Sequence, residues 1–189
     1  NFKLRHICDF SIKKIMKSKE NIVFLGMMGS GKSTIGSLIS KRLKVDFYDT
    51  DRLIEEELGM SIPKIFDTKG EVFFREYEEK ITLNLLKKKK NVIALGGGSF
   101  LNKNIQNEIL LNHFSFWLSL KSETVIERIK NSHKRPLAFK KSNTDLIKLI
   151  KKRSNIYSKA MYKIDCDDLT KQQIVKKILN IYENKKNSS

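Results

Sequence analysis

At 189 residues and 40% hydrophobic content, the chain fits one domain with a single core. No run approaches the roughly 18 consecutive apolar residues of a membrane span, and Cys8 and Cys166 stand far apart with no CxxC or Cys/His spacing, so a bilayer segment, a disulfide framework and a zinc site are all excluded as expectations. The formal charge of +17 admits nucleic acid, an anionic membrane or small phosphorylated and carboxylated molecules; because the lysines are spread along the chain, a solvated surface is expected, with neither nucleic acid nor membrane as partner.

Residues 1–20 carry six lysines and arginines against two acids and precede the first clear strand, which marks them as an extension with Met16 as a candidate start; an amphipathic targeting segment is the competing reading. From there the chain alternates short apolar runs with helical periods. Strands are predicted at Ile22–Leu25, Asp46–Tyr48, Val92–Leu95, Phe114–Leu118 and Lys163–Cys166. Helices are predicted over Lys32–Leu43, Arg52–Lys88, Asn102–Leu111, Glu123–Lys130, Thr144–Tyr162 and Lys171–Tyr182. Five buried strands separated by helices imply an α/β fold in three layers, a mainly parallel sheet covered on both faces with ligands at the carboxyl ends of its strands. The domain is expected over 21–183, with a lid near 128–142 and a frayed tail from Asn184 to Ser189.

The strongest signal is Gly26-Met-Met-Gly29-Ser30-Gly31-Lys32-Ser33-Thr34, a GxxxxGK(S/T) motif between a strand and a helix. Glycines let successive backbone N–H groups face phosphate oxygens, and the helix contributes its positive end. Lys32 is placed to bridge the β- and γ-phosphates of ATP, and Ser33 to offer a hydroxyl to Mg²⁺.

Asp49-Thr50-Asp51 follows the second strand, and a period of two puts both carboxylates on one side, one for metal and the other for substrate. Asp51 is a candidate to align and deprotonate a hydroxyl; a helix N-cap is the plainer alternative. Arg75 and Glu78 stand at i and i+3 on a helix face, so Glu78 is placed to orient a guanidinium for a substrate carboxylate, or simply to form a surface ion pair. The triplet Gly96-Gly97-Gly98 after the third strand implies close approach of the backbone to substrate or γ-phosphate. No acid follows that strand, so metal binding falls to Ser33, Asp49 and water. Arg128 and then Ser132 to Leu137, with Arg135 among them, lie in a polar interval between two helices fit for a mobile cover, Arg135 being placed to close over the phosphates, and Arg153 is a second candidate carboxylate ligand.

Together these motifs resemble the shikimate kinase family, relatives of the nucleoside monophosphate kinases, from about Asn21 to Tyr182. The likeness rests on Gly26 to Thr34, the block from Asp49 through Gly59-Met-Ser-Ile-Pro to Gly70-Glu-Val-Phe-Phe-Arg75-Glu-Tyr-Glu78, the glycine triplet, Arg135-Pro136-Leu137, and Arg153 followed by Tyr157. The resemblance implies sheet order 2-3-1-4-5 and a cytoplasmic monomer. It also implies ATP-dependent phosphorylation of the 3-hydroxyl of shikimate to shikimate 3-phosphate, on the route to chorismate and aromatic amino acids. By the same likeness Asp51 binds the ring hydroxyls, Arg75 and Arg153 clamp the carboxylate, Gly97 donates its N–H, Arg135 covers the phosphates and Arg128 stacks on adenine. The loop Asp165-Cys-Asp-Asp168-Leu-Thr170 matches the family's adenine segment only loosely. A gluconate-type sugar acid kinase and a non-catalytic basic P-loop protein that binds nucleic acid are the competing functions.

Overall fold

In the computed structural model, which describes residues 20–131 and 142–186, the apolar run Ile22–Leu25 becomes the central strand β1, buried along its whole length. Five strands form one sheet, β2 (Phe47–Asp49), β3 (Val92–Ala94), β1, β4 (Phe114–Ser119) and β5 (Tyr162–Asp165), in the order 2-3-1-4-5 with every neighbouring pair parallel. Among the described residues there are seven α-helices: α1 (Lys32–Leu43), α2 (Thr50–Leu58), α3 (Ile62–Lys87), α4 (Lys103–Asn112), α5 (Ser122–Lys130), α6 (Asn143–Tyr157) and α7 (Lys171–Lys186), plus a 3₁₀ turn at Ser99–Leu101.

The strand period of two sorts the core into two layers. Val23, Leu25, Ile93 and Leu95 face α2 to α6, where Ile54, Ile65, Phe74, Ile105, Val125 and Ile150 pack against them. Ile22, Phe24, Phe116, Leu118 and Ile164 face the other way, onto Ile35 and Ile39 of α1 and Ile174 and Ile178 of α7. A strand apolar on both faces is stable only between two such layers, which is why β1 and β3 read as unbroken apolar runs and Phe114–Leu118 of β4 as a run interrupted only by the buried Ser115.

Several expectations are corrected. The strands at the sheet's edges are not buried throughout: β2 is half-buried and β5 has two exposed positions, since each has a neighbour on one side only. The segment expected to be helical from Arg52 to Lys88 holds two helices, parted at Gly59 (φ 63°) and restarted at Ser61-Ile62-Pro63, and the second is kinked at Gly70 (φ 83°, ψ 170°). The helix expected to reach Tyr162 stops at Tyr157: Ala160 N–H closes a turn on Tyr157 O, and Met161 N–H donates to Ser115 Oγ of β4, which draws the chain into β5. α7 runs on through Lys186, so the tail expected from Asn184 starts out helical. Residues 1–19, 132–141 and 187–189 lie outside the described residues, and with them Met16, Cys8, Arg135 and most of the expected lid.

Candidate active site

All five strands point their carboxyl ends the same way, so the loops after β1, β2 and β3 meet at one edge of the sheet. The loop from Gly26 to Gly31 leaves β1 and enters α1 with Gly29 at φ 78° and Gly31 at φ 92°, left-handed conformations that only glycine adopts without strain. Gly31 is the N-cap of α1 and no side chain caps that helix, so its first-turn amides and positive dipole end face the loop. Lys32 Nζ donates to Gly26 O (3.0 Å) and Met27 O (2.9 Å), which holds the ammonium over the loop. Ser30 Oγ is buried with no hydrogen-bond partner among the described residues, and the Thr34 side chain stands exposed in the same first turn. Amides, an ammonium group and a helix N-terminus thus meet at one loop, a set of groups whose chemistry suits an anion.

Asp49 and Asp51 do not share one side of a strand. β2 ends at Asp49, whose Oδ1 accepts from Asp51 N–H (3.1 Å) and Arg52 N–H (3.3 Å) as the N-cap of α2, so Asp51 belongs to the helix. The other Asp49 oxygen accepts from Ser33 Oγ at 2.5 Å. One carboxylate therefore both starts α2 and meets the P-loop hydroxyl. Asp49 is also in register with Ala94 at the end of β3. An acid on the neighbouring strand stands at the level where β3 itself offers none.

Asp51, Arg75 and Arg153 converge on the glycine triplet. A methyl on Gly96 would overlap Asp51 Oδ1 and lie 2.9 Å from Glu78 Oε1; one on Gly98 would lie 2.5 Å from Arg75 Nη1; one on Gly97 would lie 3.4 Å from Arg153 Nη1 and 3.5 Å from the Met28 amide nitrogen of the P-loop. The triplet is thus required for space, since none of its members has a positive φ. The amides of Gly97 and Gly98 make no hydrogen bond among the described residues.

Arg75 Nη1 donates to Glu78 Oε2 at 2.7 Å. The Glu78 side chain is 3% exposed and that of Arg75 is 37%, so this is no surface pair: the buried carboxylate holds a guanidinium whose outer side reaches solvent. Glu78 Oε1 also accepts from Ser99 Oγ (2.6 Å), and the guanidinium lies over the Phe74 and Phe66 rings at 5.1 and 5.9 Å. On α6, Arg153 Nε is buried without a hydrogen-bond partner among the described residues, as suits a cation awaiting an acid.

At the P-loop, Arg128 of α5 donates from Nη1 to Gly29 O (3.0 Å), which fixes it against the loop. The loop after β5 is pinned to the same helix: Asp167 accepts from Lys121 N–H (2.9 Å) and from Thr124 Oγ1 (2.7 Å). Cys166 beside it is buried, and burial together with Asp165 and Asp167 pushes its thiol up to about 11. The adjoining cavity of about 430 Å³ is lined by Ser119, Leu120, Lys121 and residues of this loop.

Sequence reasoning missed three supports: Thr50, whose Oγ1 accepts from Gly96 N–H at 2.8 Å; Ser99 behind Glu78; and Tyr157, whose hydroxyl donates to Gly97 O. Only Tyr157 left a trace, standing one helical turn from Arg153.

A family model described as shikimate kinase matches residues 28–183. A shikimate kinase of Sulfurihydrogenibium sp. is 40% identical over 160 residues, covering 85% of this chain and 96% of that one, and a shikimate kinase of Bacillus subtilis is 38% identical over 158 residues, covering 82% and 85%. The crystal structure of shikimate kinase from Aquifex aeolicus is 36% identical with a TM-score of 0.78, covering 87% of this chain and 97% of its own; a solved structure of Acinetobacter baumannii shikimate kinase in complex with shikimate is 29% identical with a TM-score of 0.82, covering 91% and 97%. A gluconokinase from Sinorhizobium meliloti reaches a TM-score of 0.54 at 15% identity, a likeness of fold alone. Matched by the family model over 28–183, and by relatives near 40% identity along almost their whole length, the chain belongs to the shikimate kinase family.

Proposed function

We infer that this kinase transfers the terminal phosphoryl group of ATP to the 3-hydroxyl of shikimate, giving shikimate 3-phosphate for the synthesis of chorismate and the aromatic amino acids. The observation that carries the reading is the position of Gly97, where a single added methyl would lie 3.4 Å from the Arg153 guanidinium and 3.5 Å from the Met28 amide nitrogen of the phosphate loop. An acid held by Arg153 and Arg75 then lies next to a phosphate held by the Gly26–Thr34 loop. Transfer needs that adjacency, because most of the catalysis of phosphoryl transfer is positioning and charge stabilisation.

Within this site the amides of Gly29, Ser30, Gly31, Lys32, Ser33 and Thr34 bind phosphate oxygens, and the Lys32 ammonium moves from the loop carbonyls onto the β- and γ-phosphates. Asp51, beside Gly96, aligns the shikimate hydroxyl and accepts its proton as the oxygen attacks phosphorus. Arg75, oriented by Glu78, and Arg153 grip the carboxylate, while Gly96, Gly97 and Gly98 line the ring with backbone and the Gly97 N–H donates to it. Arg128 packs beside adenine and Arg135 covers the phosphates. Ser33 and Asp49, two hard oxygen donors already in contact, fit Mg²⁺, which keeps several waters and needs few protein ligands. Mg²⁺ held there offsets the charge of the phosphate oxygens. The catalytic domain spans 21–183 and works as a cytoplasmic monomer.

The test is ADP release coupled to a spectroscopic reporter, with ATP and Mg²⁺ present. Turnover with shikimate and none with gluconate is expected; the opposite preference overturns the reading. Tight, salt-sensitive RNA binding without turnover would favour the nucleic-acid reading instead.

A further inference from the structure

Tyr157 closes α6 one turn after Arg153 and is only 1% exposed, yet its hydroxyl is directed at backbone: it donates to Gly97 O and lies 3.9 Å from Met27 Sδ. A buried phenol costs stability unless its hydroxyl is bonded, and phenylalanine would fill the same space without that demand. The partner it takes is informative. Glycine backbone rotates more freely than any other, and the triplet has no side chains of its own to lock it. Its first peptide is anchored by Ser99 N–H on Gly96 O (3.1 Å), and Gly96 N–H is tied to Thr50 Oγ1 (2.8 Å). The peptide joining Gly97 to Gly98 is held by Tyr157.

A trans peptide is planar, so a carbonyl pointed at Tyr157 turns the Gly98 N–H the opposite way. It also fixes Gly97 where its Cβ position faces both Arg153 and Met28. Because Arg153 and Tyr157 are i and i+4 on one helix, the same bond ties α6, and so the Arg153 guanidinium, to the triplet. We propose that Tyr157 is a positioning residue for shikimate, holding the Gly97–Gly98 peptide and Arg153 in the geometry that receives the substrate acid. The proposal rests on the assignment of the triplet and Arg153 to the shikimate pocket.

The experiment compares Tyr157→Phe and Arg153→Lys with the unaltered chain, measuring kcat, KM for shikimate, KM for ATP and Tm. Loss of one neutral hydrogen bond predicts a rise of about five- to tenfold in KM for shikimate in Tyr157→Phe, with KM for ATP within about twofold. A fall in Tm with unchanged KM for shikimate means the hydroxyl is structural only and overturns the proposal. If Arg153→Lys weakens shikimate while Tyr157→Phe does not, the proposal fails and the pocket assignment stands; if neither changes, both fail. Trp117, the only tryptophan, has its ring 6.1 Å from that of Tyr157, so a change in its fluorescence on titration with shikimate is the expected second measure of affinity. That titration is made at a temperature where the variant's circular dichroism equals the wild type's, which keeps a destabilised variant informative.

Discussion

Gly98→Ala separates what the fold needs from what the site needs. Gly98 sits at φ −106° and ψ −19°, a conformation alanine also adopts, so the substitution introduces no backbone strain. Its effect comes from one methyl group placed 2.5 Å from Arg75 Nη1 and 3.0 Å from both Cζ and Nη2. Carbon contacts settle at roughly 3.5–4.0 Å, so the guanidinium must withdraw by about 1 Å. The bond from Nη1 to Glu78 Oε2, now 2.7 Å, then lengthens beyond the hydrogen-bonding range. A charge-assisted bond contributes about 1.5–3 kcal/mol, and the 37% exposure of Arg75 cuts this to about 1 kcal/mol through solvent screening. For a chain of this length that is a shift of roughly 2–4 °C in Tm. The functional cost is larger, since a displacement of about 1 Å in a substrate clamp can cost up to about a hundredfold. Steady-state ADP release is expected to show kcat/KM for shikimate down by about ten- to a hundredfold, with KM for ATP little changed. Unaltered shikimate kinetics, or an equal loss towards ATP, would refute the placement of Arg75 against the acid.

Lys32→Ala should lower kcat by at least about a hundredfold while circular dichroism and Tm stay close to wild type, because the ammonium bonds to carbonyls of the loop and is no part of the buried core. Arg75→Ala and Arg153→Ala should each raise KM for shikimate by about tenfold or more with little effect on KM for ATP, measured in the same assay. With its thiol pushed up to about 11 and buried, Cys166 is protonated at pH 8. An aromatic disulfide reagent at that pH should label it only on unfolding, as peptide mass spectrometry would register.

How far this protein can be read without coordinates depends on the range of each signal. The P-loop is contiguous: glycines, lysine and serine stand within nine positions, and the left-handed turns they need are properties of the residues themselves. The Arg75–Glu78 pair follows from helical spacing, and the apolar runs of β1, β3 and β4 follow from burial on both faces. Helix ends were legible only in part. Asp49 was read for its charge, but its cap on α2 starts the helix at Thr50 and takes Asp51 out of the strand. Tyr157 ends α6 because Met161 bonds to a serine 46 positions away.

The assembly of the site was decided by tertiary structure. Residues 28, 97 and 153 meet because β3 inserts between β2 and β1, a crossover that hydrophobic periodicity does not encode and that the family resemblance alone supplied. The glycine triplet announces only that something comes close. That the close neighbours are Asp51, Arg75, Arg153 and the P-loop follows from strand order, since contacts across such separations in sequence depend on how the layers stack and not on the local preferences of any residue.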